Sequence, residues 1–170
     1  LKDYVDIWLP DFKYYDNRLA QRYSRAADYF ETAAAAIRQM ILQTGAPVWQ
    51  DHNPDQDHLP GPESVSSFPL LKKGVIIRHM VLPGHKDDSI ALLHWMKDHL
   101  PEGRYLISLM SQYTPYIQNQ EFPELNRRIT SYEYDKVVDA AIRLGLTEGF
   151  MQEKSSAREE YTPPFDLEGL

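Results

Sequence analysis

Apolar positions along the chain change period several times, and each change predicts an element. Tyr4 to Leu9 make a short β-rich run. Ala33, Ile37, Met40 and Ile41 then recur at helical spacing, with Gly45 placed to end that helix as its C′ residue. "GVIIRHMVLPG" (Gly74 to Gly84) is a near-continuous apolar run, the pattern of a strand buried on both faces. Leu92, Leu93, Met96 and Leu100 mark the next helix, which Pro101 and Gly103 end. "RYLISLMSQY" (Arg104 to Tyr113) predicts a third strand. "TSYE" (Thr130 to Glu133) is a capping box, and Tyr134, Val137, Val138, Ala141 and Ile142 give its helix an apolar face that stops at Gly145. "EGFMQE" (Glu148 to Glu153) is a candidate last short strand.

Strands alternating with helices predict an α/β fold with a parallel sheet and right-handed crossovers. Three good strands leave two open sheet edges, an awkward state for a free-standing domain. Either a second copy of the chain covers them, or the chain is part of a larger α/β barrel. Residues 1–153 form this α/β part. Inside it, Ala46 to Lys73 is an irregular loop with five prolines, expected to be a lid or an insertion. Residues 154–170 form a polar, proline-containing tail expected to drape over the surface. No internal repeat or low-complexity segment interrupts this order.

Composition narrows the function classes. At 170 residues the chain is long enough for one sizeable core, and its 42% hydrophobic and 25% charged residues are ordinary for a soluble domain. The net charge of −7 argues against nucleic acid or an anionic membrane as partner, since phosphate binding needs concentrated Lys and Arg. No apolar stretch reaches membrane-spanning length, and a cytoplasmic location is the simplest expectation. The absence of cysteine excludes disulfides, thiolate zinc sites, a cysteine nucleophile and a cysteine-ligated iron–sulfur cluster within these residues. The chain opens on Leu1 without an initiator methionine, which suggests a piece of a longer protein.

The candidate chemistry sits at strand ends. Val5, Ile7, Leu9, Asp11 and Lys13 alternate onto one side of the first strand, so aliphatic residues give way to two charges at its C-terminal end. In parallel α/β architectures ligand sites form at that end; a surface ion pair following Pro10 explains the same spacing. Arg78 and His79 are neighbours and must face opposite sides, so only one can reach such a pocket. An arginine there could hold a carboxylate or phosphate with two bonds, or either residue could pack against a covering helix. Ser111, Gln112 and Tyr113 stand at the rim of the third strand, where they suit a pocket or a plain loop exit. In the long loop, Asp51, His52, Asp55, Asp57 and His58 are metal-ligand types, although no regular element fixes their geometry. No glycine-rich phosphate loop, G-x-S-x-G elbow or H-E-x-x-H helix is present.

Taken together and in order, "VDIWLPDFKYYD", "AAAAIRQMILQTG", "GVIIRHMVLPG", "LISLMSQYTPY" and "ELNRRITSYEYDKVVDAAIRLGL" resemble the C-terminal half of radical S-adenosylmethionine (SAM) proteins related to pyruvate formate-lyase activating enzyme. The resemblance covers nearly the whole chain apart from the 46–73 loop and the tail. It implies a partial (β/α)6 barrel whose last three strands lie here. In that family a [4Fe-4S] cluster on a C-x-x-x-C-x-x-C loop reduces SAM, and the 5′-deoxyadenosyl radical takes a hydrogen atom, in activating enzymes from a glycine of a partner protein. By the resemblance, Asp11 and Lys13 match the family's D-x-K motif, with Lys13 at the SAM carboxylate and Asp11 organising the pocket or a nearby cation. Arg78 matches an arginine of the next strand. Gln112 or Tyr113 stands where the activating enzymes carry a pocket histidine. Without cysteine these residues should not perform radical chemistry alone; the missing half of the barrel is their first expected partner. Two other readings remain open: a cluster-less half-barrel that binds or assembles, stable as a homo-oligomer, and a metal-dependent hydrolase using Asp51, His52 and His58.

Overall fold

Residues 4–50, 70–115 and 118–151 are described by a computed structural model. The candidate metal ligands at 51–58 and the 154–170 tail lie outside them. The first strand, β1 (Ile7–Trp8), is cut short by Pro10, which lacks an N–H for the ladder. Its pairing resumes past the proline: Arg78 N–H donates to the Pro10 carbonyl (2.9 Å) and Phe12 N–H donates to the Arg78 carbonyl (2.8 Å). Then follow α1 (Asn17–Ser24), α2 (Tyr29–Thr44), β2 (Val48–Trp49), β3 (Leu71–Met80), α3 (Lys86–His99), β4 (Leu106–Met110), a 3-10 turn at Pro123–Leu125, α4 (Ser131–Arg143) and β5 (Gly149–Met151).

The structure corrects several boundaries. The stretch expected to be irregular contains β2, because Val48 and Trp49 are strand formers that find the start of β3 as an antiparallel partner. With that partner, β3 begins at Leu71 rather than Gly74. Strand β4 ends at Met110, where the last sheet bond, from Val81 N–H to the Met110 carbonyl (3.1 Å), is made. Helix α1 is unannounced in the sequence. Leu19, Ala20 and Tyr23 share one face, but eight residues make only about two turns, and Asp16 starts the helix by accepting from Arg18 N–H (2.8 Å). As the periodicity predicts, α2 stops at Gly45, which is its C-cap with φ 81° and ψ −156°, a backbone conformation that glycine alone readily adopts.

The sheet order is β1-β3-β4-β5, all parallel, with β2 antiparallel against β3. Each new parallel strand is added on the same side of the one before. Right-handed crossovers that always step the same way put their helices on one face. The burial pattern agrees. Val75, Ile77, His79 and Val81 of β3 and its exit are buried with Ile107 and Leu109, and the core continues into α2, α3 and α4 through residues such as Ile37, Leu92 and Val137. Ile76, Arg78 and Met80 are only half-buried, so β3 is not covered on both faces as its composition suggests. Ile7, Leu9 and Phe150 remain exposed on the uncovered face. β5 closes tightly onto β4. Gly149 has φ 144°, and a Cβ there would run into the Ile107 backbone. Among the described residues, no helix is long and apolar enough to cross a membrane.

Candidate functional site

The sheet register lines up Asp11, Arg78, Ser108 and Phe150 in one row across the uncovered face. Residues in register on neighbouring strands point the same way. Asp11 and Arg78 thus meet at the C-terminal end of the sheet, with Asp11 Oδ1 2.7 Å from Arg78 Nη2. Lys13, two residues on, brings its Nζ to 3.8 Å from Asp11 Oδ2. The three side chains stay between a third and a half exposed, at 37%, 42% and 45% for Asp11, Arg78 and Lys13.

Stability does not account for this cluster. Exposed ion pairs contribute about 0–1 kcal/mol. Against that, Arg78 Nε is shielded from solvent and has no hydrogen-bond partner among the described residues. An orphaned buried polar atom costs about 1–3 kcal/mol. A positive, positive and negative group gathered at that net cost is what a site for a zwitterionic or carboxylate-bearing ligand needs. The lysine and the arginine offer donors to a carboxylate, and the aspartate offers an acceptor to an amine.

The backbone beneath the site is fixed from both sides. Tyr29, the first residue of α2, donates its hydroxyl to the Asp11 carbonyl (2.9 Å) and accepts from Lys13 N–H (2.9 Å). Burial pushes the Tyr29 hydroxyl above its usual range, so it keeps its proton. His79 points to the helix side, where Nδ1 donates to the Phe12 carbonyl at 2.7 Å. Burial holds its pKa below the ordinary value, leaving a neutral ring whose Nε2 has no partner among the described residues. Between Asp11 and Lys13, Phe12 is fully buried, stacked on Phe30 (5.7 Å) and edge-on to Trp95 (5.6 Å). Further along, Tyr15 and Asp16 N–H groups donate to the Asp88 carboxylate at 3.0 and 2.7 Å.

Asp11, Lys13 and Arg78 are therefore brought together, and the alternation that sends Arg78 one way and His79 the other is realised. Gln112 is exposed just past the end of β4. Tyr113 bonds elsewhere: its hydroxyl donates to the Leu125 carbonyl (3.0 Å), and it interacts with Tyr14. Ser111 follows β4 half-buried. Among the described residues, no group of three or more His, Asp or Glu is placed to hold a metal ion. Tyr29 has no signal in the sequence. Sixteen residues separate it from Lys13, and only the turn from α1 into α2 carries it back.

No protein-family model matches the chain, and no solved structure matches it. The uncharacterized protein MJ0674 of Methanocaldococcus jannaschii is 28% identical over 148 residues, which cover 86% of this chain and 34% of that protein. The chain spans about a third of the relative it matches.

Proposed function

We propose that this chain is the C-terminal half of a radical SAM barrel of the pyruvate formate-lyase activating enzyme type, contributing the SAM-facing residues Asp11, Lys13 and Arg78. The observation that carries the reading is the cluster of these three at the C-terminal end of a parallel sheet whose helices, among the described residues, lie on one face. A sheet that grows in one direction with helices on one face has the strand order a barrel arc requires, and barrels place their sites at that end.

The residues present fit the amino-acid end of SAM. Lys13 and Arg78 Nε, which has no partner among the described residues, offer donors to its carboxylate, and Asp11 offers an acceptor to its ammonium group. SAM bound beside a reduced iron–sulfur cluster supplies hydrogen-atom abstraction. These 170 residues contain no cysteine, so a cluster held by thiolates must be provided by another part of the full-length protein. What this half does is bind and orient the ligand and, by its apolar sheet face, exclude water. A glycine of a partner protein is the substrate class that the reading implies.

The test is SAM binding by the full-length protein, measured by calorimetry. Lys13→Ala should weaken it roughly tenfold to a hundredfold, since a charged hydrogen bond in a sheltered site is worth about 1.5–3 kcal/mol. Unchanged affinity removes Lys13 from the site. A C-x-x-x-C-x-x-C motif in the coding sequence upstream of Leu1 is the companion expectation.

A second reading draws on the exposed Ile7, Leu9 and Phe150. A cluster-less binding module would cover this face with a second copy of the chain. It predicts a dimer in solution, which light scattering on the 170-residue chain distinguishes from a monomer.

A further inference from the structure

Along β1 and its exit, even-numbered backbone groups face β3: the Pro10 carbonyl and Phe12 N–H both bond to Arg78. The Asp11 carbonyl and Lys13 N–H point the other way, toward the free edge of the sheet, where a neighbouring strand would take them. A single hydroxyl meets them instead, that of Tyr29, with both bonds at 2.9 Å. It ends the edge at Asp11 and fixes the backbone on either side of Phe12. Phe12 is itself held by the His79 ring on its carbonyl and by Phe30 and Trp95 on its side chain. The direction in which Lys13 leaves the sheet is thereby set by contacts that touch no ligand.

We propose that Tyr29 is a positioning residue for the ligand site, holding Lys13 in its binding direction and stopping any strand that pairs along β1 from extending past Asp11. The proposal rests on the reading of Lys13 as a SAM contact. The Tyr29 hydroxyl replaces the hydrogen bonds of an absent strand, so its loss leaves a backbone donor and acceptor unpartnered and frees the Lys13 backbone to turn. A residue pre-organised in this way gives its ligand affinity by reducing what must be ordered on binding.

The experiment is a double-mutant cycle on the full-length protein, with SAM affinity and thermal midpoint read for the wild type, Tyr29→Phe, Lys13→Ala and the double variant. Tyr29→Phe should weaken SAM binding about tenfold in the wild-type background and less than about twofold in the Lys13→Ala background. The fall in thermal midpoint should be the same in both. A merely structural role would weaken binding equally in the two backgrounds, and that result overturns the proposal. A normal affinity for Lys13→Ala overturns the reading beneath it. A weakened Lys13→Ala with an unaffected Tyr29→Phe overturns the positioning role alone. Amide exchange in the wild type gives an answer even if Tyr29→Phe does not fold. Lys13 N–H should exchange slowly and more slowly still with SAM, and an unprotected amide that ignores SAM overturns the proposal.

Discussion

His79 is fully enclosed next to an arginine that reaches the surface, and the two follow from one rule. Adjacent strand residues face opposite sides, so a sequence reading already separates them. What the sequence does not give is the fate of the imidazole. Its Nδ1 bond to the Phe12 carbonyl depends on β1 and β3 lying in one particular register, a tertiary fact. The burial has a measurable consequence for pH. The folded ring has its pKa lowered, while the unfolded chain takes up a proton near pH 6.5. Below that pH the unfolded state binds the extra proton, so stability is complete above about 6.5 and falls as pH drops, by about 1.4 kcal/mol per unit until the folded ring titrates. Denaturant unfolding at pH 7.5 and 5.5 should show this loss, and His79→Gln should remove the His79 share of it whatever its effect on stability at neutral pH. An equal pH dependence in the variant would mean that the ring is charged in the fold. Tyr29 marks the limit of reading by residue: nothing in its neighbours shows that its hydroxyl serves the backbone of Asp11 and Lys13.

Element by element, legibility follows how local the determinant is. The start of α4 is legible because a capping box is four residues long. Thr130 Oγ1 accepts from Glu133 N–H (3.2 Å), and the Glu133 carboxylate accepts from Thr130 N–H (2.9 Å). The same carboxylate also takes both Arg127 Nη groups (2.8 and 2.7 Å) and Gly84 N–H (2.7 Å), which ties α4 to the turn after β3 at the sheet end that holds the candidate site. Gly84 is 49 residues away and is not legible, and Arg127, though six residues away, lies outside the four-residue capping pattern. With the Arg127 guanidinium first among its causes, the Glu133 pKa is held far below the carboxylate range. Its contribution is therefore present above the unfolded value of about 4.3 and is lost as pH falls through that region toward the folded pKa. Glu133→Gln should cost about 2 kcal/mol at neutral pH, the value of charged hydrogen bonds at a largely enclosed group. At pH 3 the variant and wild type should lie closer together than at pH 7, as read by denaturant midpoints. Strand β2 is not legible for the opposite reason, since its two residues depend on β3 as a partner, whereas α1 has a local cap in Asp16 but spans only about two turns.

For the whole molecule, alternation of element types is sufficient to predict the parallel sheet, but not the state of its second face. The run "GVIIRHMV" suggests cover on both sides, yet among the described residues the helices lie on one side, and Ile76, Arg78 and Met80 of β3 stand half-open. Leu9 and Phe150 are 51% and 50% exposed there. Apolar residues beside a charged cluster are expected where further protein completes the fold, and two substitutions decide whether it does. In the 170-residue chain, Leu9→Ser and Phe150→Ser should each shift stability by no more than about 0.5 kcal/mol, as at other open surface positions, and should reduce self-association. In the full-length protein each should cost about 1.5–3 kcal/mol, because burial of a Leu or Phe side chain is lost. A large cost confined to the longer protein identifies this face as the interior of a barrel closed by the remainder of the chain. Equal and small effects in both would leave the face open in the full-length protein. Asp11, Lys13 and Arg78 would then face solvent and not an enclosed pocket, and the half-barrel reading would fall with its ligand.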